Sequence, residues 1–267
     1  LSRNACFFSL RNGIEPTAMG SATSDRDEPA LSVVIPVKDE AGNILPLLDE
    51  VAEALNGGNA FEVICVDDGS TDGTDEKIRV AQQGHPWLRL VRHAKSCGQS
   101  TAIWTGVRTA RAEWIVTLDG DGQNPPAEIA RLIAARDDSA EPELHMVAGQ
   151  RERRHDSWLR RLSSWLANTI RAGLLRDGIC DSGCALKLFR RDAFLALPYF
   201  DHMHRFLPAL IQRHGGTVVT VPVGHRARRH GRSKYGLHNR LWPGILDLAG
   251  VLWLKRRTRL PTIDATE

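Results

Sequence analysis

From Leu31 onward, hydrophobic positions alternate between two rhythms. Leu31–Val37 (LSVVIPV) is a short, β-branched run that ends in a polar turn, and it predicts a buried strand. Ile44–Leu55 repeats its apolar positions at helical spacing, behind Asn43 as a cap and before Gly57-Gly58 as a stop. The alternation then continues. Phe61–Val66, Leu88–Val91, Trp114–Leu118 and Met146–Ala148 read as strands, and Thr74–Gln83, Ser100–Ala110 and Ala127–Ala135 read as helices. Short apolar strands separated by helices of this length form βαβ crossovers, so the pattern predicts an α/β fold with a mostly parallel sheet flanked by helices.

The second half is less regular. Trp158, Leu162, Trp165, Leu166 and Ile170 recur at helical spacing and predict one amphipathic helix over 158–175. Thr217–Val223 reads as a strand, and a basic loop follows to Gly236. The apolar tail Leu241–Leu254 has only 14 residues and contains Asp247. As a helix it would reach about 21 Å, short of a ~30 Å hydrocarbon core. Residues 1–29 lack hydrophobic periodicity and are expected to be a disordered extension, of which 1–18 precede Met19. The division is thus 1–29 extension, 30–237 a single α/β domain, and 238–267 an amphipathic C-terminal helix or tail.

Composition changes the picture mainly through charge. Hydrophobic residues at 42% and charged residues at 25% are ordinary for a globular chain of 267 residues. The net charge of +3 hides a division. Residues 1–150 carry 13 Lys and Arg against 23 Asp and Glu, whereas residues 151–267 carry 22 against 9. A polyanionic ligand or surface served by the second half follows from that asymmetry. Five scattered cysteines, Cys6, Cys65, Cys97, Cys180 and Cys184, form no disulfide framework or zinc pattern, which suits a reduced, cytosolic protein.

In open α/β sheets ligands bind at the carboxyl ends of strands. Three successive predicted strands end in acidic clusters: Pro36-Val37-Lys38-Asp39-Glu40, Asp67-Asp68-Gly69-Ser70-Thr71-Asp72-Gly73-Thr74, and Asp119-Gly120-Asp121-Gly122-Gln123. Asp72 and Thr74 read as ordinary turn and cap residues. Asp119 and Asp121 need a counter-charge, and a hard divalent cation with Gln123 as a neutral third ligand supplies one. No Gly-x-Gly-x-x-Gly or Gly-Lys-Ser/Thr motif is present, which disfavours a dinucleotide dehydrogenase or a P-loop NTPase. A metal facing arginines points instead to a diphosphate leaving group.

Pro36–Glu40, Asp67–Thr74, Asp119–Pro126 (DGDGQNPP) and the basic His225–Tyr235 segment together resemble the family-2 glycosyltransferases. Within that family the chain is similar to dolichyl-phosphate mannosyltransferases and their bacterial undecaprenyl-phosphate relatives, from about Leu31 to Lys255. The resemblance implies a GT-A-like, Rossmann-like single domain. It places Pro36, Lys38, Glu40, Asp67 and Asp68 around the base and ribose of a nucleotide-sugar, with Gly120 beside them. It makes Asp119 and Asp121 the motif for Mg2+ or Mn2+, with Gln123 as a further ligand. Arg151 falls near the diphosphate, Arg228 and Lys234 on a loop that closes over phosphates, and Asp181 (in Asp181-Ser182-Gly183-Cys184) faces the acceptor. Two departures stand out: Lys38 replaces a frequent aromatic residue, and only a short tail stands where many bacterial relatives carry membrane helices.

The resemblance implies an inverting transfer of mannose or another hexose from a GDP- or UDP-linked donor to polyprenyl phosphate. The protein would sit peripherally on the cytoplasmic face of a membrane. Asp181 reads equally as a base, an orienting group or a turn residue. A phosphate acceptor is already ionised near neutral pH and needs no base, whereas a saccharide hydroxyl does. Transfer to such a hydroxyl is one alternative. The other is a nucleic-acid-binding module built on Arg151, Arg153, Arg154, Arg160, Arg161, Arg226, Arg228, Arg229, Arg232 and Lys234. That module leaves the acidic clusters unexplained and lacks interleaved aromatics, so no nucleic-acid partner is expected.

Overall fold

The computed structural model describes residues 28–152, 171, 173–229 and 238–259, with α7 side chains from residue 244 onward. Seven strands form one sheet: β1 (Leu31–Val37), β2 (Phe61–Asp67), β3 (Leu88–Arg92), β4 (Trp114–Thr117), β5 (Leu144–Arg151), β6 (Lys187–Arg190) and β7 (Thr217–Val223). Their order across the sheet is β3-β2-β1-β4-β6-β5-β7. β6 runs antiparallel to both of its neighbours, β4 and β5, and the other pairings are parallel. The helices are α1 (Ile44–Leu55), α2 (Thr74–Gln82), α3 (Gln99–Thr109), α4 (Ile129–Asp137), α5 (Arg191–Leu195), α6 (Leu207–Arg213) and α7 (His238–Arg257).

The core follows from the strand pattern. Along β1, Val33, Ile35 and Val37 pack on one face with Ile44, Leu47, Leu48 and Val51 of α1 and Ile129 and Leu132 of α4. Val34 faces the other way, towards Ala102, Ile103 and Val107 of α3 and the buried residues of α6. A strand covered on both faces reads as a continuous apolar run, which is why LSVVIPV does not alternate. Gly106 lets α3 approach β1 closely, because a Cβ there would lie 2.4 Å from Val34 Cγ1.

From β1 the chain moves outward through β2 and β3, then returns to β4 on the other side of β1. This reversal opens a crevice at the carboxyl ends of β1 and β4. Strand boundaries agree with the sequence reading to within a residue, except that β5 extends over Leu144–Arg151. β6, α5 and α6 were not expected. β6 is four residues long and has a basic residue at each end, Lys187 and Arg190, so no apolar run marks it. Most of the helix expected over 158–175 lies outside the described residues, although its end, residues 171 and 173–175, is helical. Residues 1–27, Lys234 and the arginines at 153, 154, 160, 161 and 232 are likewise outside them. Among the described residues, Cys65, Cys97, Cys180 and Cys184 form no disulfide.

Candidate active site

The crevice is built first from the turn after β1. Asp39 adopts a left-handed conformation, φ 47°, which short polar side chains tolerate best. Its N–H donates to Ser70 Oγ at 2.8 Å, and its carboxylate accepts from Thr71 N–H at 2.8 Å. Ala41 N–H donates to Asp72 Oδ2 at 3.0 Å, and Thr74 N–H at the start of α2 donates to Asp72 Oδ1 at 3.1 Å. The β1 and β2 turns are therefore stitched together through Asp72 in the turn and Thr74 at the first position of α2, whose cap position is Gly73. Pro36 and Lys38 are half-buried at this edge, and Glu40 is buried.

Asp67 and Asp68 follow at the end of β2, both buried. Asp67 accepts from Ser70 N–H at 3.1 Å, from the Ser70 hydroxyl and from Arg92 Nε at 3.0 Å. Asp68 accepts from Ser96 Oγ at 2.7 Å and from the N–H groups of Cys97 and Gly98 at 2.7 and 2.9 Å, and hydrogen-bonds His93 Nδ1 at 2.8 Å. Burial alone would raise the Asp68 carboxyl, but these bonds to the charged form hold it below its usual range. Asp68, His93 and Cys97 lie within ligating distance of one another. Both oxygens of Asp68 already have two partners, so its evident task is to anchor the 93–98 loop.

The turn after β4 crosses the end of β1. A Cβ on Gly120 would stand 2.7 Å from Val37 Cγ1 and 3.1 Å from Pro36 O, so only glycine fits between the two aspartates. Asp119 accepts from Gln99 Nε2 at 2.8 Å. Its carboxyl is crowded, although the residue keeps a partly exposed edge. Burial first and the Asp121 charge second push it up to about 6, against the pull of Lys187, Arg151 and Arg228. Two carboxylates this close are stabilised by a cation between them. Asp119 and Asp121 therefore suit a divalent metal by donor chemistry. Gln123 N–H donates to Asp121 Oδ1 at 3.0 Å, and its amide nitrogen lies 3.5 Å from Arg226 O.

Opposite this turn, Arg151 at the end of β5 forks onto Asp181, with Nε to Oδ2 and Nη2 to Oδ1 both at 2.7 Å. Burial opposes the guanidinium charge, but the Asp181 bonds outweigh it and raise the pKa further. Gly183 fits closely beside this fork, its Cβ position 3.2 Å from Arg151 Nη2. Buried Lys187 of β6 donates to Ser182 O at 3.3 Å and to Cys184 O, fixing the same loop from beneath. Burial lowers its pKa from the usual lysine value.

The segment after β7 closes the crevice. Arg228 Nη2 donates to Glu40 Oε1 and stands 3.6 Å from Asp121 Oδ2. Glu40 in turn accepts from Asn43 Nδ2 at 2.7 Å. The acidic clusters of β1 and β4 thus meet a basic side chain contributed from more than a hundred residues away. Among the sequence-derived candidates, the structure brings Glu40, Asp119, Asp121, Arg151, Asp181 and Arg228 to one sheet edge. Lys187 and Gln99 escaped the sequence reading. Lys187 lies on the unexpected β6, and Gln99 opens a helix with no motif around it.

α7 packs on the opposite side of the sheet from α1. Val251 is buried, His202 Nδ1 hydrogen-bonds Asp247 Oδ2 at 3.0 Å, and Arg213 Nε donates to Leu254 O at 3.2 Å. Ile245, Leu246 and Trp253 remain 55%, 70% and 59% exposed. No helix among the described residues is long and apolar enough to cross a membrane.

Comparison with known proteins agrees with this arrangement. The model of the family described as Glycosyl transferase family 2 matches residues 32–197. The chain is 36% identical over 240 residues to the dodecaprenyl-phosphate galacturonate synthase of Rhizobium johnstonii, covering 86% of this chain and 69% of that protein. It is 36% identical over 210 residues to the undecaprenyl-phosphate 4-deoxy-4-formamido-L-arabinose transferase of Edwardsiella ictaluri, covering 78% and 63%. The chain therefore spans about two thirds of the length of these relatives. Among solved structures it resembles the mannosyl-3-phosphoglycerate synthase of Rubrobacter xylanophilus, with a TM-score of 0.67 and 16% identity over 90% of this chain and 79% of that one. It also resembles the glucosyl-3-phosphoglycerate synthase of Mycobacterium tuberculosis, solved with Mn2+, UDP and glucosyl-3-phosphoglycerate. There the TM-score is 0.62 with 18% identity over 85% and 80% of the two chains. At those identities the likeness is one of fold, and it is the GT-A-like fold implied by the strand-end motifs.

Proposed function

Because the chain belongs to glycosyl transferase family 2, we propose that it moves a sugar from a nucleotide-sugar to a polyprenyl phosphate with inversion at the anomeric carbon. One observation carries the reading. The Asp119/Asp121 turn faces Arg151 and Arg228 across the crevice, and both guanidiniums act on the charge of Asp119. Acidic groups for a metal, set against fixed cations for phosphates, suit departure of a nucleoside diphosphate. The names of the two relatives, both acting on polyprenyl phosphates, support the acceptor class.

In this reading an oxygen of the lipid phosphate forms the new bond to the anomeric carbon. The bond to the diphosphate breaks on the opposite face, and its electron pair leaves on the β-phosphate oxygen. Asp119 and Asp121 would hold a divalent cation, Mg2+ or Mn2+, which when bound neutralises growing charge on the diphosphate. Arg228 exchanges its Glu40 and Asp121 contacts for phosphate oxygens, a geometry guanidinium groups favour. Glu40, Pro36 and Lys38, with the Asp67–Asp68 turn, line the nucleoside end. Lys234 would add a further cation from the same basic segment.

The Arg151–Asp181 fork supports an acceptor that needs no base. Both Asp181 oxygens accept from Arg151, so the carboxylate orients the guanidinium rather than waiting for a proton. Transfer to a saccharide hydroxyl would demand the opposite, a base with an accessible oxygen. The relatives named above carry galacturonate and 4-deoxy-4-formamido-L-arabinose in their names, which favours donors of that kind over the mannose implied by the dolichyl resemblance. We also infer a peripheral membrane contact through the exposed apolar face of α7.

The test is a transfer assay with Mg2+ or Mn2+, a polyprenyl phosphate and a panel of radiolabelled UDP- and GDP-sugars. Label enters the organic phase with one donor and is lost on adding EDTA, and Asp121→Ala abolishes it without unfolding the chain. Near-wild-type transfer by Asp121→Ala would remove the metal assignment. Metal-dependent nucleotide binding without organic label would move the acceptor away from lipid phosphate.

A further inference from the structure

Glu50 belongs to none of the strand-end clusters, yet it holds the basic segment that closes over them. α1 turns Ile44, Leu47, Leu48 and Val51 into the core and leaves Glu50 at its rim. There Glu50 Oε2 accepts from Arg226 Nη2 at 2.7 Å, and Oε1 meets Arg229 Nη2 at 3.1 Å. Arg226 is tied on its other side as well. Its Nε donates to Gly122 O at 2.5 Å and its N–H to Gln123 O at 2.9 Å, so it bridges α1 to the Asp119–Gln123 turn. Arg228 lies between the two Glu50-bound arginines in sequence, and this bracing points it at Glu40 and Asp121.

We propose that Glu50 is a positioning residue, a latch that holds residues 226–229 across α1 so that Arg228 is presented to the diphosphate of the donor. The inference rests on the function proposed above for the identity of that ligand. The latch itself is independent of it. Its physical value is pre-organisation: a basic segment already braced loses less conformational freedom when phosphates bind. One carboxylate serving two arginines also offsets part of the repulsion among three closely spaced guanidiniums. These pairs are partly exposed, so each contributes modestly and is weakened by salt.

The experiment uses the full chain with Glu50→Gln, which keeps the shape and removes the charge, and Arg226→Gln, which breaks the same bridge from the other side. Limited trypsin digestion of the ligand-free protein, followed by mass spectrometry, reads cleavage after Arg228 and Arg229. We expect about fivefold faster cleavage in both variants, with wild type approaching them at high salt. The KM for the nucleotide-sugar rises about fivefold while kcat stays near wild type, because only the competent fraction has changed. The thermal midpoint stays near that of wild type, which a merely structural role would not allow. Equal cleavage of wild type and Glu50→Gln overturns the latch. Faster cleavage with unchanged KM overturns its positioning role. Faster cleavage in a protein whose wild type transfers no sugar leaves the latch standing and overturns the proposed function instead.

Discussion

Asp119 shows how a binding site costs stability. An ordinary aspartate ionises near 3.8, whereas this one does so at about 6, because burial and the neighbouring Asp121 disfavour its charge. Below about pH 4 the carboxyl is protonated in both folded and unfolded chains, and the site carries no penalty. As pH rises from about 4 to 6 the unfolded chain releases this proton while the fold retains it, so stability falls, and above 6 the penalty is complete. Asp119→Asn is therefore expected to melt higher than wild type at pH 7 in metal-free buffer, with the difference gone near pH 4. Parallel melting curves across that range would show that the aspartate is not strained. The strand-end acids were legible in the sequence because Asp119 and Asp121, paired after an apolar run, need a counter-charge that a turn role does not supply. Lys187, Gln99 and Glu50 were not. Gln99 and Glu50 matter through partners 20 and 176 positions away, which no local pattern records, and Lys187 bonds carbonyls five and three positions back that carry no sequence signal of their own.

At the scale of elements, the glycine between the two aspartates decides where the metal motif sits. The β4 turn reaches over β1 because Gly120 leaves room for Val37 and for the Pro36 carbonyl. Gly120→Ala would press a methyl into contacts of 2.7 and 3.1 Å. Overpacking of this kind costs about 1–3 kcal/mol, and the strain would be relieved by moving the turn that bears Asp119 and Asp121. A urea melt should show that loss, together with weaker Mn2+ binding. Gly84→Ala, where nothing lies nearer than 3.9 Å, serves as the control and should be nearly neutral. An equal effect in both variants would sink the close-approach argument. The regular first half was readable because β1, β2 and β4 are buried on both faces and so appear as nearly continuous apolar runs. β6 is as buried as those strands but was hidden by its length and its charged ends. It is short, and it places the buried Lys187 ammonium under the 182–184 loop.

For the whole molecule, the division of charge has a spatial meaning. The acidic half supplies the strand ends, and the basic half supplies the groups that face them. α7 adds a second basic feature away from that crevice. Its exposed positions 245, 246, 249, 250, 253, 256 and 257 fall within one sector of about 140° at 100° per residue. Ile245, Leu246 and Trp253 give that sector an apolar surface, and Arg256 and Arg257 end it with positive charge. The inner side is already occupied by the domain through Val251 and the Asp247–His202 bond, so the outer side is available for a bilayer interface. A side chain that inserts there contributes through buried apolar area, and the arginines contribute through anionic headgroups. Leu246→Ser together with Trp253→Ser should therefore lower co-sedimentation with anionic vesicles several-fold, while leaving the melting temperature close to wild type because neither residue supports the core. Raising the salt should weaken the wild type as well. Transfer to a short, water-soluble isoprenyl phosphate should persist in the double variant, since the crevice is untouched. Unchanged vesicle binding would separate the exposed face of α7 from the membrane and leave the lipid acceptor to reach the site by another surface.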